Sequence, residues 1–210
     1  DANVLVIGSA GGQDVVAALA ADQAHVTAVE INPVTVDLVS NRFADYIGNV
    51  FSDPRVALHL QEGRNFAAGS SDVYDIVQIT MIDSWAGAAA GAYIFNENSL
   101  YTLDAIDDYI DHLTPGGILS MTRYLDFDEV LRLANTMVVR MQQHGLSDAA
   151  SRLVVIAEKQ KSYHRATILL KNGIFTQEEG ATIKALRETN HATIVHAPFR
   201  PPPPRLQRTK

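Results

Sequence analysis

Two periods alternate in the pattern of apolar and polar positions along this chain. Asn3–Gly8 (NVLVIG) is a short, continuously apolar run broken by Gly11 and Gly12, the pattern of a strand buried on both faces of a parallel sheet. Gln13–Ala21 then reads as a helix, and His25–Glu30 (HVTAVE) as a second strand. Asn32 followed by Pro33 supplies an N-cap with proline at the first helical position, and Val36, Val39 and Phe43 recur behind it at helical spacing. Val56–Leu60, entered through Asp53 and Pro54, predicts a third strand, and Tyr74–Thr80 (YDIVQIT) a fourth.

A run of small residues, Ala86–Ala92, separates the fourth strand from a helix over Leu103–Leu113. Thr114-Pro-Gly-Gly stops that helix, and Ile118–Thr122 predicts a fifth strand. Asp126 and Glu129 form a capping box for the next helix, whose core face is Val130, Leu133, Met137 and Met141 and whose stop is Gly145. Leu153–Ala157 and Ala166–Leu170, on a short connector, predict an antiparallel pair. Thr176 and Glu179 cap a further helix, and Thr193–His196 reads as a last strand. Strands alternating with helices on short connections predict an α/β fold, a doubly wound and mostly parallel sheet that ends in an antiparallel hairpin.

Composition narrows the setting. With 210 residues, one well-buried domain is expected over 1–199. Residues 200–210 are a proline run with a basic end, which reads as an extended tail or linker. Apolar stretches such as Val15–Ala21 fall well short of the ~20 residues that span a bilayer. The opening residues read as a strand rather than a signal peptide. There is no cysteine, and the formal net charge of −7 argues against a surface that tracks nucleic-acid phosphates. The seven histidines show no HExxH or close ligand pair, so no metal site is expected.

Ligands of such sheets sit beyond the carboxyl ends of the strands. The first candidate is the turn Gly8-Ser9-Ala10-Gly11-Gly12, where glycines let the backbone approach a ligand and the following helix aims its free N–H groups at it. The second is Glu30, ending strand two roughly twenty residues on, where a carboxylate accepts hydrogen bonds from ribose hydroxyls. A nicotinamide fingerprint would need glycine at positions 10 and 13, but the chain has Ala10 and Gln13. Trp85 with Tyr93 and Phe95 could line an acceptor pocket through cation–π contact or pack as core under a loop.

VLVIGSAGGQDVVAAL, AVEINPVTVDLV, DPRVALHLQEGRNF and YDIVQITMIDSW occur in the order and spacing of the polyamine (spermidine) synthase family, which the chain resembles over Val4 to Tyr124. It looks most like that family's bacterial methyltransferase-like relatives, several of them attached to membrane-spanning segments. The resemblance implies a class I S-adenosylmethionine-dependent methyltransferase (Rossmann-like) fold. By position, Gly8, Ser9, Ala10, Gly11 and Gly12 would line the sulfonium and amino-acid end of the nucleoside, and Glu30 would hold the ribose. Glu62 and Gly63, where the family has Asp-Gly, would place a carboxylate near the adenine amino group. Asp83 would help deprotonate an attacking amine, and Tyr101 would border the acceptor pocket.

Two departures bear on the reaction. The acid that grips the aminopropyl ammonium in the family's glycine turn falls at Gly11, and the second acid of the strand-four segment at Ala86. Asp14, one turn along, is the nearest acid that could substitute. Loss of charge at Gly11 favours intact S-adenosylmethionine, which carries a carboxylate, over the decarboxylated form. The first expectation is therefore methyl transfer to an unknown small-molecule acceptor, with aminopropyl transfer to an amine the alternative. A non-catalytic nucleoside-binding or interaction domain is the rival. No nucleic-acid partner is expected. The resemblance implies a homodimer and a cytoplasmic domain, with fusion to a membrane segment as a further expectation.

Overall fold

The computed structural model describes residues 2–82, 99–124, 127–159, 164–189 and 192–199. Among the described residues there are eight strands: β1 (Asn3–Ile7), β2 (His25–Glu30), β3 (Val56–Leu60), β4 (Tyr74–Thr80), β5 (Leu113–Tyr124), β6 (Leu153–Lys159), β7 (His164–Lys171) and β8 (Thr193–His196). The helices are α1 (Gln13–Ala20), α2 (Pro33–Asp37), α3 (Gly63–Gly69), α4 (Leu103–Asp111), α5 (Phe127–Gln143) and α6 (Gln177–Thr189). The strands form one sheet in the order β3-β2-β1-β4-β5-β7-β6-β8. The first five are mutually parallel, and β7, β6 and β8 join antiparallel. This is the doubly wound sheet with a terminal hairpin that the pattern predicts.

The two faces of the sheet are covered differently. On one face a continuous core runs from Leu5 and Ile7 of β1 through Val77 and Ile79 to Met121, Ile168 and Leu170, under α3, α4 and α5. The four α5 positions of the core stripe, Val130, Leu133, Met137 and Met141, are all buried there. On the other face two separate clusters form. Val4, Val6, Val26 and Ala28 pack under Val15 of α1. Val154, Ile194 and Phe175 pack with Ile183 of α6. The Thr176–Glu179 capping box closes reciprocally, with the Glu179 N–H donating to Thr176 Oγ1 at 3.2 Å and the Thr176 N–H to Glu179 Oε2 at 2.8 Å.

The structure differs from the sequence reading in three places. Strand five starts at Leu113, so Thr114-Pro-Gly-Gly lies within it rather than outside. Tyr74 pairs with Leu113 and the register then shifts to Ile76 opposite Ile118. A Cβ at Gly117 would sit 3.0 Å from the carbonyls of Thr114 and Tyr74, so this irregular passage needs glycine. Helix α3 was not anticipated, because its seven residues carry too few apolar positions for a period to show. Phe43 is exposed although Val39 is buried. After α2 the chain widens into a π-turn over Leu38–Arg42, which rotates Phe43 off the buried stripe. Asp126 lies outside the described residues, and Glu129 forms an ion pair with Arg123 at 3.0 Å.

Candidate functional site

The glycine turn is built by its own backbone. The Gly8 and Ser9 N–H groups both donate to Val29 O, at 2.8 and 3.0 Å, so the turn is anchored on β2 as β1 ends. Gly8 and Gly12 have φ of +74° and +88°, which a side chain would strain. Gly12 is the N-cap of α1 and offers no side chain to its first-turn N–H groups. Ala10 also has a positive φ, of 40°. Ser9 is 4% exposed, and its hydroxyl has no hydrogen-bond partner among the described residues. A buried unmet hydroxyl in a strained turn beside a helix N-terminus is suited to receiving a polar ligand group.

Glu30 is buried behind this turn. One carboxylate oxygen accepts the Ala10 N–H at 2.9 Å and the other the Asn32 N–H at 2.8 Å. Each oxygen retains a lone pair, so these bonds leave capacity for ribose hydroxyls. Asn32 in turn caps α2, its Oδ1 accepting the Val34 N–H.

Glu62 and Gly63 serve local roles of their own. Glu62 caps α3 by accepting from the N–H groups of Arg64 and Asn65, at 3.2 and 2.8 Å, and the Ser99 hydroxyl lies 3.4 Å from it. A Cβ at Gly63 would lie 2.2 Å from Ile7 Cγ2, so glycine is required for α3 to approach β1. Tyr101 packs against the main core, and the Arg123 guanidinium lies 4.1 Å from its ring centroid. Its ring face is thus engaged by a cation of the protein itself. Asp83, Trp85, Tyr93 and Phe95 lie outside the described residues.

An open cavity of about 1010 Å³ extends from the glycine turn and α1 across the sheet face. Gly8, Ser9, Ala10 and Gly11 line it, together with Asp14 of α1. Its floor is a set of residues that sequence reasoning missed. Thr80 pairs with Thr122, which pairs with Thr167, so one row across β4, β5 and β7 presents three threonines. In the next row Tyr124 is opposite Arg165, and Arg165 opposite Glu158. The Thr122 and Thr167 hydroxyls are 2.9 Å apart, and the Gln78 amide donates to Thr80 Oγ1 at 2.6 Å. Arg165 directs Nε and Nη2 at Glu158 Oε2, at 2.8 and 2.7 Å. Burial pushes the Asp14 carboxyl above its ordinary value, against the opposing pull of Thr80, Arg165 and Gln78.

The signal for this floor was present in the strand alternation. Ile76, Gln78 and Thr80 share one face of β4, and Ile118, Ser120, Thr122 and Tyr124 one face of β5. Both faces turn from apolar to polar toward the carboxyl end. Another non-glycine residue with positive φ, Met81 at 48°, sits at that end and donates its N–H to Thr122 O. Strained backbone of this kind gathers at ligand sites.

A family model for the spermine/spermidine synthase domain matches residues 1–161. The chain belongs to the spermine/spermidine synthase domain family. A polyamine aminopropyltransferase of Pseudomonas syringae pv. tomato is 25% identical over 194 residues, which is 91% of this chain and 59% of that protein. The chain therefore spans little more than half the length of this curated relative. Among solved structures, a spermidine synthase in complex with the transition-state analogue AdoDATO superposes with a TM-score of 0.61 at 16% identity, over 84% of this chain and 55% of that one. Human methyltransferase-like protein 13 in complex with SAH superposes at 0.59 and 17% identity, over 90% and 82%. These two likenesses are of fold, and they place the domain in the class I methyltransferase type. No helix among the described residues is long and apolar enough to cross a membrane.

Proposed function

We propose that this domain binds a sulfonium nucleoside of the S-adenosylmethionine class against the glycine turn and transfers an aminopropyl group to an amine acceptor. Membership of the synthase family and the aminopropyltransferase relative favour this reaction over methyl transfer. The observation that carries it is Asp14. The family's acid is absent at Gly11, but the first turn of α1 places a half-buried carboxylate in the same cavity as Gly8–Gly11. A cationic group needs such an acid to bind it, and an attacking ammonium needs one to take its proton.

When bound, the nucleoside supplies a carbon activated for displacement by its sulfonium. The acceptor nitrogen forms a bond to that carbon, the carbon–sulfur bond breaks with its electron pair moving to sulfur, and the nitrogen's proton passes to a carboxylate. In this reading Ser9 and the α1 N-terminus meet the chain that bears the sulfonium, and Glu30 holds the ribose. Glu62 approaches the adenine amino group while capping α3. On the family resemblance Asp83 remains the base. Positioning of the two reactants supplies most of the acceleration, worth up to ~7–11 kcal/mol in well-aligned systems.

One observation favours a second reading, methyl transfer from intact S-adenosylmethionine. Gly11 is exposed and leaves open space where an acid would stand. An α-carboxylate is then not repelled there, and the α1 N-terminus attracts it by ~0.3–1 kcal/mol.

Calorimetric titration with S-adenosylmethionine, its decarboxylated form, methylthioadenosine and NAD tests both. Tightest binding of the decarboxylated form, with consumption of an amine, is the expected result. Preference for intact S-adenosylmethionine would transfer the assignment to methylation. Binding of NAD alone, or of none of the four, would overturn the reading.

A further inference from the structure

The Asp14 carboxylate has a built support beneath it. Gln78 and Thr80 alternate with Val77 and Ile79 along β4, so their side chains share the sheet face that floors the cavity under Asp14. The Gln78 amide donates to Thr80 Oγ1 at 2.6 Å. An amide nitrogen only donates, so the single proton of the Thr80 hydroxyl is directed away from Gln78. Both side chains also hydrogen-bond to Asp14. One Gln78 amide proton therefore goes to Thr80 and the other to Asp14, and the Thr80 hydroxyl gives its own proton to Asp14.

Every donor in this chain points at the carboxylate. The chain begins at an amide, which does not titrate, so the floor stabilises the ionised carboxylate and offers a proton no route out. Asp14 is half-buried, and burial alone would favour its neutral form, which does not attract a cation. The other charged and titratable groups on the lining are Arg165 of β7, Glu158 of β6 and Tyr124 of β5. Arg165 attracts the carboxylate from further off, and its ion pair with Glu158 at 2.7 Å offsets part of that attraction. Gln78 and Thr80 make the direct contacts.

We propose that Gln78 and Thr80 are positioning residues for the acceptor amine: the amide orients the Thr80 hydroxyl, and together they hold the Asp14 carboxylate ionised in the cavity, where it binds an ammonium. The inference rests on the transferase reading above, in which Asp14 meets that ammonium. Both residues act through Asp14.

Putrescine serves as the probe, since alkyl ammonium groups stay charged well above neutral pH. The 210-residue chain, saturated with methylthioadenosine, is titrated with putrescine by calorimetry from pH 5 to 8. Affinity is expected to fall on the acid side. Asp14→Asn is expected to remove that pH dependence, together with at least ~10-fold of the affinity at neutral pH. Thr80→Val keeps the shape and deletes the hydroxyl. It is expected to move the midpoint of the fall up by about one pH unit, a tenfold change in the ionisation equilibrium. Thr80→Ser is expected to return it, and Gln78→Met to shift it the same way by less. Methylthioadenosine titration of each variant shows whether the fold persists.

A midpoint unmoved by Thr80→Val and by Gln78→Met would overturn the proposal, as would a loss of affinity equal at every pH, which is what a merely structural role gives. So would a serine variant that behaves like the valine one, or a parent whose affinity ignores pH. Failure of the parent to bind methylthioadenosine, or to bind putrescine beside it, would instead overturn the transferase reading itself.

Discussion

Glu30 Oε2 accepts the backbone N–H of Ala10 at 2.9 Å, joining the end of β2 to the middle of the glycine turn. Ala10 has a φ of 40°, a conformation that costs a non-glycine residue on the order of 1–3 kcal/mol unless its surroundings impose it. The buried carboxylate is what imposes it, so turn geometry and the proposed ribose recognition depend on the same side chain.

Glu30→Ala therefore removes a support of the turn as well as the proposed ligand contact. Two backbone donors lose their acceptor, and the expected loss is about 2 kcal/mol in urea unfolding. Affinity for the S-adenosylmethionine-class nucleoside is expected to fall at least ~10-fold by calorimetry, the worth of about one hydrogen bond to a charged group. A folded variant that bound the nucleoside normally would end the assignment of this site.

Gly11 and Gly63 separate space from function. A Cβ at Gly11 meets nothing within 4 Å, whereas at Gly63 it would overlap Ile7. Gly63→Ala is expected to destabilise by ~1–3 kcal/mol through overpacking. Gly11→Ala is expected to stay within ~0.5 kcal/mol of the parent, as for an exposed position. Equal unfolding midpoints for the two variants would contradict this packing.

Gly11→Asp tests the cofactor choice. The open space accommodates the side chain, and an acid beside a helix N-terminus is favourable by ~0.3–1 kcal/mol. The ratio of affinities for decarboxylated over intact S-adenosylmethionine is expected to rise several-fold, since the new charge attracts the ammonium and repels the α-carboxylate. An unchanged ratio in parallel titrations would show that position 11 does not face that end of the nucleoside.

Asp14 is held at a cost to stability. Burial raises its carboxyl above the ordinary value of 3.8, so folding is favoured by the protonated form. The stabilising contribution of protonation is present below 3.8 and is lost as pH rises through the raised folded value. Asp14→Asn, which mimics the protonated form, is expected to raise the melting temperature at neutral pH. That gain should vanish below about pH 3.8, while amine affinity falls at neutral pH. A variant less stable than the parent at pH 7 would make Asp14 a structural acid.

Asp75 titrates in the opposite sense. The Asn3 N–H at 2.9 Å and the Thr114 hydroxyl at 2.7 Å hold its carboxyl below the ordinary 3.8. Its contribution to stability is present above that value and is lost as pH falls through the lowered folded one. The stability gap between the parent and Asp75→Asn is expected to be constant from pH 7 to 5 and to close below about pH 3.8. Urea unfolding at pH 6 and pH 3 reads it directly, and an equal gap at both would remove Asp75 from the acid response.

Much of this was legible in the chain because it rests on local rules. The α5 stripe of Val130, Leu133, Met137 and Met141 is buried as its spacing required, and the Thr176–Glu179 capping box forms with its N–H donors paired as drawn. Glycine at position 8 marked a turn because the residue that ends β1 had to adopt a conformation that side chains resist. Glu62 and Gly63, expected at the adenine, carry equally sound local reasons, a helix cap and a close approach to Ile7. Such double duty is invisible to a motif.

The sequence by itself determined the order and kind of the elements apart from α3, the doubly wound class, the glycine turn and Glu30, since period, capping and backbone freedom act within a few residues of each other. Only the tertiary structure decided that Asp14 shares a cavity with that turn, and that Thr80, Thr122 and Thr167 form one row with Arg165 and Glu158 beyond it. Those residues are brought together by strand register across β4, β5, β7 and β6, and register is set by how distant segments bury their apolar faces against one another.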